Sequence, residues 1–573
     1  MSNKVFELGL VGAGAISAGA YTAGVVDFLI QALDVWYDSK ARGDNVPNHE
    51  VRLSVFSGAS AGAITAALGA AYIGSDQKPV TVEVDEHSPL GQQNKLFDVW
   101  VNRIDIKYLL EQKDLQVGDK VISLLDSTIL KDIANQGLDV TPRASRRPYI
   151  PENFELLMTV TNLRGIPYKF EVIGYQVTDY DMTQHADYVH FRLNDSGANT
   201  EPDRLVMKWA EFGTLSNVKE KLKLAALASG AFPVGLAPRA LSQYIGPQPG
   251  KVDYYSVRQW PIPMFDDTNT YPILSMQPIP ASWNQPNSFN YEFQCVDGGV
   301  MNNEPLELAR RILAGDAERN KRSGKLADKA VLLIDPFPNF APFELKYAPA
   351  DDLFNLVVKL FDALKNQARF KPDELELAIN PDVYSRFMIA PKRDGVNGDL
   401  YPIACGLLGG FGGFLSRKFR AHDFYLGRRN TQKFLRDRLV LPENNPLFED
   451  WTPAMKQQYC VKNPDGQPSL KDNLRQLPVI PLLPSVDTET APCLKPIWPV
   501  YFYDELNVLT EQLEGRISIV FDRIVAQYFK SNNPIVRFIA KIIIGRKKND
   551  VLDYVRQVIK DDLLERQLLE EIK

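Results

Sequence analysis

The sequence predicts an α/β fold: a three-layer α/β/α sandwich around a mainly parallel central sheet, followed by a mainly helical C-terminal region. Three observations carry that expectation. Two strand-loop-helix units follow each other at the N-terminus, short apolar runs recur as far as Ile334, and the hydrophobic period then changes to three or four residues. A chain of 573 residues is too long for one ordinary domain, and the change of pattern divides it into residues 1–340 and 341–573. With 45% hydrophobic and 24% charged residues, the composition excludes a disordered, collagen-like or multi-span membrane chain.

The first unit opens with Val5 to Val11, an apolar run suited to a buried parallel strand. Leu8 to Val26 carries no charge and so imitates a signal peptide or a membrane span. Gly9, Gly12, Gly14, Gly19 and Gly24 argue against one long helix, where each would cost up to about 1 kcal/mol, and Glu7 interrupts the charge pattern a signal peptide needs. The reading is therefore a strand, a glycine loop and a helix that puts Val25, Phe28, Leu29, Ala32, Leu33 and Trp36 on one face.

In the second unit Val51, Leu53 and Val55 alternate ahead of Ser57, and Gly58 to Gly62 lead into an Ala-rich helix from about Ala61 to Tyr72. Further strands are expected at Phe154 to Val160, Phe293 to Val296 and Ala330 to Ile334, so the sheet should reach about residue 340, with helices beyond it. Gly246 to Asn290, rich in Pro, Tyr, Trp and Asn, reads as a long ordered loop. Pro478 to Pro499 reads as an extended surface connector, and Leu506, Leu509, Leu513, Ile517, Val520, Ile524 and Tyr528 as one helix face. In Pro534 to Lys548 apolar residues alternate with Arg537, Lys541, Arg546, Lys547 and Lys548, a pattern suited to peripheral membrane contact or to a buried helix with a solvated basic edge.

A formal net charge of −6 supplies no basic field, and there is no zinc-finger spacing or aromatic-basic RNA signature, so nucleic acid is not an expected partner. Cys295, Cys405, Cys460 and Cys493 form no CxxC pair and imply neither a metal site nor a disulfide scaffold. A cytoplasmic setting is expected.

Three motifs carry chemistry. Gly58-Ala59-Ser60-Ala61-Gly62 is a GxSxG sequence between a strand and a helix, where a tight turn with small flanks exposes the Ser60 hydroxyl. Gly12-Ala13-Gly14-Ala15-Ile16-Ser17-Ala18-Gly19 opens the first helix, so its backbone N–H groups can hold a developing oxyanion. A dinucleotide site would need glycine at Ser17 and an acid after the second strand, and it has neither. Asp297-Gly298-Gly299 ends a strand with a carboxylate, an arrangement that also suits a tight turn capping the next helix.

Taken in order with Ala228-Ser229-Gly230-Ala231-Phe232-Pro233, Thr161-Asn162-Leu163, Asn303 and Pro305, these motifs resemble those of the patatin-like phospholipases. The resemblance spans roughly residues 5 to 340. It implies a lipid acyl hydrolase acting on phospholipid or other lipid acyl esters, with Ser60 as nucleophile and Asp297 as base, no cofactor and no metal. It places the oxyanion hole at Gly14, Ala15, Ile16 and Ala61, with Gly58, Gly62, Gly298 and Gly299 supporting the turns. One departure is plain: the family's loop often carries three consecutive glycines and a nearby Arg or Lys, whereas this one reads Gly14-Ala15-Ile16-Ser17-Ala18. An ordinary aspartate, with a pKa of about 3.9, is a weak base, so esters are expected to react in preference to amides.

Two alternatives stand beside this reading. One is a catalytically silent lipid-binding or scaffold protein that keeps the fold. The other is a Ser60-Asp297-His422 triad, since His422 alone among the histidines follows Asp297.

Overall fold

A computed structural model describes residues 4–570 apart from 117–119, 174–176, 199–200, 202, 247–252, 257, 265–272, 279, 284–287, 316–318, 339–362, 364–379, 381, 396, 489–494 and 529–551. Side chains are described for all of these except 170–173, 177–179, 259–264, 273–278 and 525–528.

The N-terminal units fold as their patterns require. Strand β1 (Val5–Gly12) leads through a short loop into α1 (Gly19–Arg42), and β2 (Glu50–Gly58) into α2 (Ala61–Ile73). Among the described residues, the helical stretch Ile16–Arg42 is long and apolar enough to cross a membrane, but it is core: Val25, Val26, Phe28, Leu29 and Ile30 are fully buried. After a short helix, α3 (Thr128–Leu138), come β3 (Phe154–Ile173), β4 (Val177–Asn194), β5 (Leu205–Lys208), α4 (Asn217–Ser229), β6 (Arg239–Ile245), β7 (Gln259–Met264), β8 (Ile273–Pro278) and β9 (Phe289–Asp297). Helix α5 (Leu306–Ala314), β10 (Lys329–Ile334), β11 (Arg386–Ile389), α6 (Arg417–Asp437) and α7 (Tyr503–Tyr528) complete the main elements.

The central sheet has nine strands, ordered β11-β10-β1-β2-β3-β4-β5, with β9 paired to β3 and β6. From β11 to β3 every pairing is parallel. Side-chain alternation separates the two faces. Val11, Val55, Leu157, Val331 and Leu333 pack beneath Leu306, Ala309 and Leu313 of α5. Leu8, Leu10, Leu53, Phe56, Leu332 and Ile334 face the larger core that holds α1, α2 and α6. These are the two outer layers of the sandwich.

Several expectations are corrected. Beyond residue 340, where helices are expected, the sheet gains a further strand, since β11 pairs in parallel with β10. Gly246 to Asn290 is not all loop. It holds the antiparallel pair β7-β8, and Pro261, Pro263 and Pro278 fit there because a two-stranded ribbon leaves half its N–H groups unpaired. The strand at Phe293 to Val296 runs antiparallel to its neighbours, and β3 extends into a long hairpin with β4. The connector after Pro478 begins inside the protein, with Val479 and Ile480 fully buried. The helical C-terminal region also carries small sheets, one of them Val440–Pro442, Leu470–Lys471 and Leu474–Pro478. Residues 534–548 lie outside the described residues.

A close helix contact joins the two halves of the chain. A Cβ on Gly24 of α1 would lie 1.9 Å from the Phe424 carbonyl oxygen of α6, and one on Gly427 would lie 2.3 Å from the Tyr21 carbonyl oxygen. Glycine at both positions lets the backbones touch. Buried Arg428 then reaches Asp27 of α1, which also accepts a 2.6 Å hydrogen bond from Asn94.

Candidate active site

Ser60 stands between β2 and α2 with φ 53° and ψ −122°, a conformation that costs a non-glycine residue on the order of 1–3 kcal/mol. The surrounding glycines enforce it. A Cβ on Gly62 would lie 2.0 Å from the Gly12 carbonyl oxygen, and one on Gly58 would lie 2.4 Å from the Gly62 carbonyl carbon. The first turn of α2 holds no acidic side chain, so the positive end of its dipole is left to the site.

Asp297 arrives from the opposite direction along the same edge of β3. Parallel β2 ends with Gly58 opposite Met158, and antiparallel β9 ends with Asp297 opposite Val160. The two strands therefore converge head to head across two residues of β3. Their side chains meet there: Ser60 Oγ donates to Asp297 Oδ2 at 2.6 Å. The other carboxylate oxygen, Oδ1, accepts from the Gly299 N–H at 2.7 Å, and Thr161 Oγ1 donates to the Asp297 carbonyl at 2.7 Å. Gly298 is required because a Cβ would lie 2.2 Å from the Thr159 carbonyl oxygen. Ser60 and Asp297 are each 5% exposed, which shields the pair from bulk water while leaving a way in.

A small pocket opens on the pair, lined by Gly14, Ala15, Ile16, Phe232, Gly299, Val300 and Asn303. Of the four residues expected to supply an oxyanion hole, Gly14 does not offer its N–H, which donates to the Asn303 carbonyl at 3.1 Å. Among the described hydrogen bonds, the N–H groups of Ala15, Ile16 and Ala61 have no protein acceptor. Ile16, a β-branched residue, sits at φ 50°. A Cβ at position 14 would lie 2.3 Å from Asn303 Oδ1 and would displace that side chain.

Three residues quoted from the sequence without a role gain one. Ser229 Oγ accepts the Ser60 N–H at 2.8 Å and so fixes the elbow. Thr161 holds the Asp297 backbone, and Asn303 takes up the Gly14 N–H. Their signal was their place in the motif blocks. Phe411, whose ring stands edge-on to Phe232 at 5.3 Å, gave none.

His422 is engaged elsewhere. Its Nδ1 lies 2.7 Å from Asp423 Oδ1 and its ring stands edge-on to Trp498 at 5.1 Å. Among the described contacts it touches neither Ser60 nor Asp297.

The family profile described as patatin-like phospholipase matches residues 10–310. An uncharacterized protein, y4iI, of Sinorhizobium fredii (strain NBRC 101917 / NGR234) is 35% identical over 99% of this chain and 83% of its own length. With the Gly58–Gly62 turn, the glycine loop and the Asp-Gly-Gly turn all inside the matched span, the chain belongs to the patatin-like phospholipase family.

Proposed function

We propose that this protein hydrolyses lipid acyl esters through a Ser60–Asp297 dyad. Ser60 Oγ attacks the ester carbonyl while Asp297 Oδ2 takes its proton, and the carbonyl electron pair moves onto oxygen. Collapse of that tetrahedral species expels the alcohol, which receives the proton from Asp297, and leaves an acyl-serine. Water then attacks the acyl group while Asp297 takes its proton, and as the acyl–Oγ bond breaks Asp297 returns that proton to Ser60 Oγ and the fatty acid is released. The N–H groups of Ala15, Ile16 and Ala61 are the donors left for the oxyanion, with the α2 dipole behind Ala61.

The observation that carries the reading is the 2.6 Å bond from Ser60 Oγ to Asp297, whose second oxygen is held by Gly299. It gives the hydroxyl a base of fixed orientation without a histidine between them. The test is turnover of p-nitrophenyl esters of several chain lengths by the wild type and Ser60→Ala. Loss of turnover in a folded Ser60→Ala is expected, and wild-type-like rates in that variant would sink the assignment.

Peripheral membrane contact through residues 534–548 belongs to the same proposal. Replacing Arg546, Lys547 and Lys548 with Gln should weaken sedimentation with anionic vesicles at low salt. Unchanged sedimentation would remove the segment from the membrane face.

A further inference from the structure

We infer that Ser17 is a positioning residue for the oxyanion loop, and that a glycine-rich strap at 404–415 is what it is fastened to. The inference rests on the dyad reading above.

The loop Gly14-Ala15-Ile16-Ser17-Ala18 has a conformational problem. Its centre is a β-branched residue at φ 50°, a backbone shape such residues rarely adopt and that persists only where neighbours hold it. A run of glycines would adopt it freely; this sequence has Ala15 and Ile16 instead.

The restraint comes from the other end of the chain. Ser17 is fully buried, and its hydroxyl is used in both directions: Oγ donates to the Gly410 carbonyl at 2.5 Å and accepts from the Gly413 N–H at 2.9 Å. Glycine at 413 makes room for it, since a Cβ there would lie 2.6 Å from Ser17 Oγ and 2.6 Å from Cys405 Sγ. The strap also lies directly on the loop, because a Cβ on Gly410 would lie 3.5 Å from the Ala15 carbonyl oxygen. Ala15 and Ile16 are the two loop residues whose N–H groups remain available at the pocket.

The strap is itself fixed at three points. Asp423 accepts the N–H groups of Ala404 at 2.9 Å and Cys405 at 2.8 Å, Asp562 accepts that of Leu408 at 2.6 Å, and Phe411 packs edge-on against pocket-lining Phe232. A hydroxyl with two backbone partners on a strap anchored this firmly sets where the loop sits. It therefore sets where the oxyanion donors point, an arrangement that matters most when charge develops.

The test uses the full-length protein, a p-nitrophenyl ester and an alkyl trifluoromethyl ketone. Ser60 Oγ adds to the ketone carbonyl, its proton passes to Asp297, and the carbonyl electron pair becomes an oxyanion held where that of the ester would form. Ser17→Ala should lower kcat by about tenfold to a hundredfold with KM within about twofold, and should raise the ketone's Ki by the factor by which kcat/KM falls. Asp562→Ala, which releases the strap at its outer anchor, should show the same pattern at about threefold.

A folded Ser17→Ala with wild-type kcat and Ki overturns the inference, as does a change confined to KM. If Ser17→Ala does not fold, wild-type kcat and Ki in Asp562→Ala overturn it. Failure of the dyad reading is distinguishable, because it shows in the wild type as absence of any turnover that Ser60→Ala removes.

Discussion

Among the places where this chain holds a non-glycine residue at positive φ, the pocket and the strap do so to different ends. Ile16 and Ser60, at φ 50° and 53°, both line the pocket and lie within the span the family profile matches. Leu408, at φ 53° and followed by Gly409 and Gly410, lies beyond that span in the strap. In the first region the unusual shape presents a hydroxyl and backbone donors. In the second it turns a segment that brings no nucleophile and accepts the Ser17 hydroxyl bond through its backbone. The difference points to a division of labour: the matched half carries the Ser60–Asp297 pair that the proposed reading makes reactive, and the C-terminal half packs a strand, a helix layer and the strap against it.

The strongest way to break this comparison is to remove the second region. A chain ended after residue 340 loses β11 and α6 together and uncovers the fully buried α1 face. It should give no soluble, cooperatively unfolding protein by circular dichroism. A stable, active fragment 1–340 would show that the C-terminal half is an appendage.

Within the intact chain, the reacting groups should all fall in the matched half. Asp297→Asn should reduce ester turnover by about 10³-fold or more, close to Ser60→Ala, because the amide cannot take the serine proton. His422→Ala should stay within about tenfold of wild type. A drop beyond about a hundredfold in folded His422→Ala would move the base into the C-terminal half.

Stability sharpens the comparison further. Gly24→Ala drives a Cβ to 1.9 Å from the Phe424 carbonyl of α6, and should cost about 3 kcal/mol in urea denaturation. Gly515→Ala in α7, where a Cβ meets nothing within 4 Å, should be neutral or stabilise by up to about 1 kcal/mol. Equal effects at the two sites would deny that α1 and α6 touch.

The smallest expected effect is a pH dependence. Burial, with a smaller push from Lys40, brings His49 from its ordinary 6.5 down to about 3, although its bond to the Val479 carbonyl opposes the shift. Its Nε2 bonds the Val479 carbonyl at 2.8 Å and its Nδ1 takes the Trp451 N–H at 3.2 Å, so a neutral ring joins the two halves. The unfolded chain takes up that proton near pH 6.5 and the folded one only near pH 3, so this contribution is complete above 6.5 and is lost as pH falls between those values. His49→Gln should flatten the fall in thermal midpoint from pH 7 to pH 5. An unchanged slope would assign the acid sensitivity to other groups.

By itself the sequence determined what short-range sterics determine. Gly58 and Gly62 around Ser60, the strand-turn-helix setting and the Asp-Gly-Gly turn are local signals, because each reports how little space the backbone has over a few residues. The parallel units and the amphipathic period of α7 were legible for the same reason. Only the tertiary structure decided that β9 runs antiparallel and meets β2 head to head, which brings Ser60 and Asp297 together across 237 positions. It also decided that Gly24 and Gly427 face each other, that β11 extends the sheet, and that Gly410 and Gly413 clasp Ser17. Strand direction and backbone contact between distant segments depend on pairing partners and on what fills the space between them, and neither leaves a pattern within one stretch of chain.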